Sequence, residues 1–211
     1  TTPASIGPGE FFPVVGVGPH EKPWPEGAHY DPELLLNGDR RNVLDHYRYW
    51  TIEAIVADLD SKRHKLQIAI ENWQHDLNIG SIVRTANAFN VSGVHIVGKR
   101  DWNKRGAMVT DRYLTVHHHP TVEDFALWCK ENELPIIGID NVPGSKQLES
   151  AQLPEKCVLL FGQEGAGMSD EGIAVCEVLY EINQYGSTRS MNASAAGAIA
   201  MYHWALQHLP R

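Results

Sequence analysis

Cys157-Val-Leu-Leu-Phe161-Gly-Gln-Glu164-Gly-Ala-Gly167-Met-Ser169-Asp170 is the stretch that decides the fold. Five apolar residues without a polar alternation read as a strand buried on both faces, the pattern of a parallel sheet covered on two sides. A glycine-rich turn follows at once, and Ser169 offers its hydroxyl as the N-cap of a helix. Strand, tight turn and helix in that order form half of a parallel βαβ unit, so the rest of the chain is expected to repeat the alternation.

Working outward, it does. Residues 66–70, 94–97, 114–118, 136–139 and 178–182 are short apolar or β-rich runs. Between them, residues 78–89 place Ile79, Ile82, Val83, Ala86 and Phe89 on one helical face, and 122–132 read as a further helix. Residues 191–209 are rich in Ala, with Ile199, Tyr202, Leu206 and Leu209 at helical spacing. The predicted class is α/β, a mostly parallel sheet with helices on both faces. In such sheets ligands sit at the carboxyl ends of strands, which directs attention to the loops after Ile70, Ile139, Phe161 and Ile182.

The chain has 211 residues, 43% hydrophobic and 21% charged, enough for one α/β domain with a small appendage. The expected division is 1–60, an N-terminal extension, and 61–211, the main domain. Within the extension, residues 1–32 are rich in Pro and Gly and read as an extended or poorly ordered arm, whereas Val43, Tyr47, Trp50, Ile52 and Ile55 over residues 39–60 predict one or two helices. Residues 157–161 and 195–201, the longest apolar runs, are too short for a bilayer, and 1–25 lack the charged and apolar regions of a secretory signal. No membrane partner and a cytoplasmic address are therefore expected. Cys129, Cys157 and Cys176 show no CxxC or Cys/His spacing and read as reduced, buried thiols. His117, His118 and His119 adjoin, but strand neighbours face opposite ways, so no metal site is expected there.

A net charge of -8 disfavours a protein that coats nucleic acid. The cations are nevertheless gathered: Lys99, Arg100, Lys104, Arg105 and Arg112, interleaved with Trp102 and Tyr113, form a candidate RNA-contacting loop.

Three segments carry the chemistry. Asn78-Ile-Gly80-Ser-Ile-Val-Arg84 opens a helix that Asn78 can cap, and Gly80 permits close backbone approach. Gly162-Gln-Glu164-Gly165-Ala-Gly167 brings backbone N–H groups toward a ligand but lacks both the Lys-Ser/Thr ending of a P-loop and the GxGxxG spacing, which counts against an NTPase or a nucleotide-binding oxidoreductase. Ile182-Asn-Gln-Tyr-Gly-Ser-Thr-Arg-Ser190-Met191-Asn192-Ala-Ser194 leads from a strand into the Ala-rich helix, with Ser190 as the expected cap.

In the same order, these segments resemble the N-x-G-x-x-x-R, G-x-E-x-x-G and S-[LM]-N-x-S motifs of the SpoU (TrmH-like) branch of the SPOUT superfamily of RNA methyltransferases, over residues 65–209. The resemblance implies a trefoil knot at the C-terminal side, a homodimer, S-adenosylmethionine as cofactor, and a tRNA or rRNA whose ribose 2′-hydroxyl is methylated. Position by position, it implies catalytic roles for Arg84, Asn78, Glu164, Ser190 and Asn192. The implied cofactor contacts are Ile139, Asp140, Gly162, Gly167, Ile182 and Met191. Asn183-Gln184 departs from the Pro-Met common in the family, and Met191 from its usual Leu, a nearly volume-conserving exchange. A catalytically silent RNA-binding protein of the same fold is the alternative, and the presence of Arg84, Glu164, Ser190 and Asn192 speaks against it.

Overall fold

The computed structural model describes residues 16–74 and 78–210. The chain divides into two units, the first ending at Asp58 and the second beginning at Leu59. In the first, helix α1 (Pro32–Asn37) starts where its sequence dictates: Asp31 accepts from the amides of Glu33 and Leu34, and Pro32 needs no hydrogen-bond partner at the first position. Helix α2 (Ile52–Asp60) runs across the division.

Of residues 1–32, those described pair through their backbone with the rest of this unit. Val17 and Asp39 exchange backbone hydrogen bonds of 2.8 and 2.9 Å, and the His20 amide donates to the Leu35 carbonyl. Pro and Gly remove periodicity, but backbone amides still find partners across α1, and periodicity cannot report that. Residues 1–15 lie outside the described residues. Asp39 anchors this unit: its buried carboxylate accepts from the Arg41 guanidinium at 2.9 and 2.7 Å and from the Tyr49 amide at 3.0 Å. Burial pushes the carboxyl up, but the Arg41 and Tyr49 hydrogen bonds and the Arg41 charge outweigh it and hold the pKa at about 2.

The second unit runs β1 (His64–Asn72), α3 (Asn78–Ala88), β2 (Val91–Gly98), β3 (Val116–His119), α4 (Val122–Glu131), β4 (Ile136–Ile139), β5 (Lys146–Gln147), β6 (Cys157–Phe161), α5 (Asp170–Val175), β7 (Val178–Glu181) and α6 (Ala193–His208). All strands pair in parallel, in the order β3-β2-β1-β6-β4-β7-β5. Alternating residues of the central strands are dealt to two cores, as the two-residue repeat of a strand requires. Leu66, Ile68 and Ile70 of β1 and Leu159 and Phe161 of β6 join Ile79, Ile82 and Val83 of α3 and Met201 and Trp204 of α6 on one face. Ala69, Val158 and Leu160 join Val122, Phe125 and Cys129 of α4 on the other. That is why these strands read as continuous apolar runs.

Two features escaped the periodicity. β5 has only two residues, both exposed. Between β2 and β3 the chain forms short 3-10 turns at Arg105–Ala107 and Thr110–Tyr113 instead of a plain loop. The histidine run sits on the sheet's edge strand: His117 and His119 share a face with His95 of β2 at ring distances of 4.8 and 5.1 Å, while His118 bonds the Gly98 carbonyl. Trp128 of α4 packs against all three rings of the shared face.

Candidate active site

Strand order brings the carboxyl ends of β1, β6, β4 and β7 side by side, and the loops leaving them make the site. After β6 the chain doubles back in a tight hairpin: the Gln163 amide donates to the Gly167 carbonyl at 3.0 Å and the Gly167 amide to the Gln163 carbonyl at 2.9 Å. A Cβ on Gly162 would lie 2.2 Å from backbone atoms of Gly167 and Met168, and Gly167 has φ +71°. Both positions need glycine for packing and conformation.

Glu71 holds the far side of this hairpin. It is the penultimate residue of β1, is fully buried, and accepts from the Ser169 amide at 2.7 Å, the Ser169 hydroxyl and Trp73 Nε1. Ser169 in turn caps α5 through the Gly172 amide. Asp140, at the end of β4, accepts from the Met168 amide at 2.7 Å and the Asn141 amide at 2.8 Å. Asn141 donates its side-chain N–H to the Arg189 carbonyl at 2.6 Å, which ties the β4 loop to the segment before α6.

Between these loops opens a cleft of about 650 Å³, within the range of small-molecule sites. Its walls combine Ile139, Ile182 and Met191 with Asp140, Glu164 and Ser190. Gly162, Gly167 and Asn192 also line it. Nine of the eleven residues expected at the site are thus brought to one cleft. Asn78 joins them by side-chain contact: it donates to Glu164, and its Oδ1 accepts from Asn192 Nδ2 at 2.8 Å. Asn192 Nδ2 lies 3.2 Å from Glu164 as well, so one residue from each motif meets at a single polar junction.

One expectation is corrected. Ser190 does not cap α6; Asn192 does, accepting from the Ser194 amide at 3.0 Å. The helix starts two residues later than expected because the Asn192 side chain is the one placed over its first turn. Arg84 does not line the cleft and is exposed. It stands six residues beyond Asn78, which on an α-helix is a rotation of about 240°, so the two side chains cannot share a face.

The basic loop lies against α3. A Cβ on Gly80 would fall 2.7 Å from the Ala107 amide nitrogen and 2.8 Å from that of Gly106, so the glycine of the first motif is where the two backbones touch. Arg100, Arg105 and Arg112 are exposed, whereas Lys104 is engaged by Asp111 at 3.0 Å and by the Trp102 ring. Tyr113 is buried, so it cannot serve as an RNA-stacking residue. Burial pushes the thiols of Cys129, Cys157 and Cys176 up to about 12, Glu71 adding to the effect at Cys176; none is a nucleophile near neutrality.

Glu71 and Gln163 are the residues that motif reading missed. Glu71 carried a signal, a carboxylate closing an apolar strand at a loop of interest; Gln163 carried none.

A parallel α/β sheet with a ligand cleft at its carboxyl edge is the class that this fold and site define. The sequence matches the SpoU rRNA Methylase family over residues 65–202, and the chain belongs to that family. A tRNA (guanosine(18)-2′-O)-methyltransferase of Borreliella burgdorferi is 25% identical over 147 residues, 68% of this chain and 67% of that protein. Among solved structures, the SpoU methyltransferase AviRb of Streptomyces viridochromogenes superposes with a TM-score of 0.64 at 24% identity, covering 72% of this chain and 63% of that one. AviRb in complex with AdoMet superposes with a TM-score of 0.63 at 22% identity, covering 72% and 61%. The match therefore spans about two thirds of the length of these relatives, and the structural likeness establishes the fold.

Proposed function

We propose that this chain transfers a methyl group from S-adenosylmethionine to a ribose 2′-hydroxyl of structured RNA, a tRNA or an rRNA. The observation that carries the reading is the meeting of Asn78, Glu164 and Asn192, one from each motif, at the rim of a cleft lined by Ile139, Ile182 and Met191. Membership of the SpoU family and the activity of the Borreliella relative point the same way.

The cleft suits the cofactor. It has the volume for a nucleoside-sized ligand, apolar walls for an adenine ring, and the Asp140 carboxylate for hydroxyl groups. S-adenosylmethionine supplies an electrophilic methyl carbon on a sulfonium. The protein must then align the acceptor oxygen and stabilise the charge that develops on it. Glu164, tied to Asn78 and Asn192, fixes the rim; Ser190 and Asn192 orient the ribose. A guanidinium has only donors and no acceptor lone pair, so Arg84 is assigned to stabilising charge and not to removing the proton. Its exposed position outside the cleft suits a clamp on the adjoining phosphate, with the hydroxyl proton passing to a phosphate oxygen or water.

The trefoil knot at the C-terminal side is supported by the strand order, in which β6 lies between β1 and β4 although β4 precedes it, and by the Asn141 tie to Arg189. A homodimer is supported by Ile199, Tyr202 and Leu206, an exposed apolar stripe on α6. RNA contact is assigned to the basic loop beside α3. A cytoplasmic address is supported by three free cysteines and an RNA substrate; among the described residues, no helix is long and apolar enough to cross a membrane. The test is calorimetry with S-adenosylmethionine against NAD and ATP, followed by transfer of labelled methyl to total RNA and analysis of the nucleosides. Label in 2′-O-methylnucleosides supports the reading; label in bases, or none, refutes it.

A further inference from the structure

The Gln163 side chain does something that the motif does not require. Its Oε1 accepts from the backbone amides of Trp73 at 2.8 Å and Gln74 at 2.7 Å, about ninety residues away in sequence. Both partners are donors, so the assignment of oxygen to this end of the amide is forced by chemistry. Gln163 is buried, and its own backbone closes the hairpin with Gly167. One residue thus belongs to the hairpin lining the cleft and also holds the chain that leaves β1 just before α3, the helix carrying Asn78 and Arg84.

Resting on the function proposed above, we infer that Gln163 is a positioning residue which couples the cofactor hairpin to α3, so that a ligand against the hairpin sets the alignment of Arg84. The Asn78–Glu164–Asn192 junction joins the same loops at the rim, but only through side chains. Gln163 instead grips two successive backbone amides, which restrains the position of the chain itself. A ligand that orders the hairpin therefore orders Trp73 and Gln74 without touching them.

Binding and alignment are separable by substitution at Gln163. Gln163→Met keeps length and removes the acceptor; Gln163→Glu keeps an oxygen that can accept from both amides. In Gln163→Met the Trp73 and Gln74 amides should exchange with solvent at least about tenfold faster, and S-adenosylmethionine should no longer slow them. Turnover on RNA should fall about 10- to 100-fold, as expected for a misplaced reacting group, while the cofactor Kd stays within about threefold. Gln163→Glu should restore both readouts.

Unchanged exchange at Trp73 and Gln74 in Gln163→Met would overturn the inference, as would a parallel loss of cofactor binding, which would reduce Gln163 to a support of the hairpin. If the wild-type protein methylates no RNA but its cofactor-dependent protection of these amides requires Gln163, the function proposed above fails and the coupling stands.

Discussion

Acidification should loosen this protein through a single buried ring. His95 is inaccessible to solvent, with Nε2 2.6 Å from Gln67 Oε1 and Nδ1 2.9 Å from His119 Nε2. The Gln67 oxygen can only accept, so the His95 proton resides on Nε2 and Nδ1 must accept from His119. A second proton on Nδ1 would set two N–H groups against each other among Phe125, Trp128 and the stacked His117. Burial, with smaller contributions from His117 and His119, accordingly pushes the His95 pKa down from 6.5 to about 2. Across that interval the unfolded chain binds one proton more than the folded one, so stability falls as pH falls. Going from about pH 7.5 to about pH 5.5, an unfolded-state pKa near 6.5 makes the His95 contribution to this loss about 1.4 kcal/mol. His117 and His119, both also shifted down by burial, add in the same direction, with Asp124 opposing at His119. Urea unfolding of the wild type and of His95→Gln at both pH values isolates the contribution. The variant is expected to be less stable at neutral pH yet to lose about 1.4 kcal/mol less on acidification. Equal losses would refute the assignment of the pH dependence to this ring.

Gly80→Ala should destabilise the fold by about 1–3 kcal/mol, because the new methyl meets three backbone atoms within 2.9 Å; thermal unfolding measures it. Arg84→Lys should lower turnover about tenfold or more with cofactor Kd unchanged in calorimetry, since an ammonium lacks the planar fork; near-normal turnover would remove the phosphate clamp from the mechanism. Arg105→Ala with Arg112→Ala should weaken RNA binding and shallow the dependence of log K on log salt by about 0.7–0.9 for each phosphate no longer neutralised; an unchanged slope would move the RNA face elsewhere. Tyr202→Asp with Leu206→Asp should yield a monomer in light scattering if α6 forms the dimer contact, and an unchanged mass would exclude that face.

Most strands and helices were legible because burial on two faces leaves a local signature. Residues 157–161 and 136–139 match β6 and β4 residue for residue, and Ser169 caps α5 as its position suggests. The site was legible less evenly. Glu164, Asn192 and Asn78 were picked out by their motifs, but their mutual contacts were not, since Asn78 and Glu164 lie 86 residues apart. Arg84 was picked out by the same motif as Asn78, but helical rotation turns it to another face of α3, outside the lining of the cleft. Tyr113 was expected as an RNA contact and is buried at the end of the second turn after β2.

The amino-acid sequence by itself determined most of the strands and helices, that the sheet is covered on both faces, and which three segments hold the polar residues. Those are consequences of repeats of two and of 3.6 residues and of turn chemistry, all set within a few neighbours. Only the tertiary structure decided that β6 lies between β1 and β4, that Glu71 and Gln163 bind the loops together, and that His95 is sealed against His119. These depend on how strands sort in the sheet, and a hydrogen bond between distant residues leaves no period in the chain to be read.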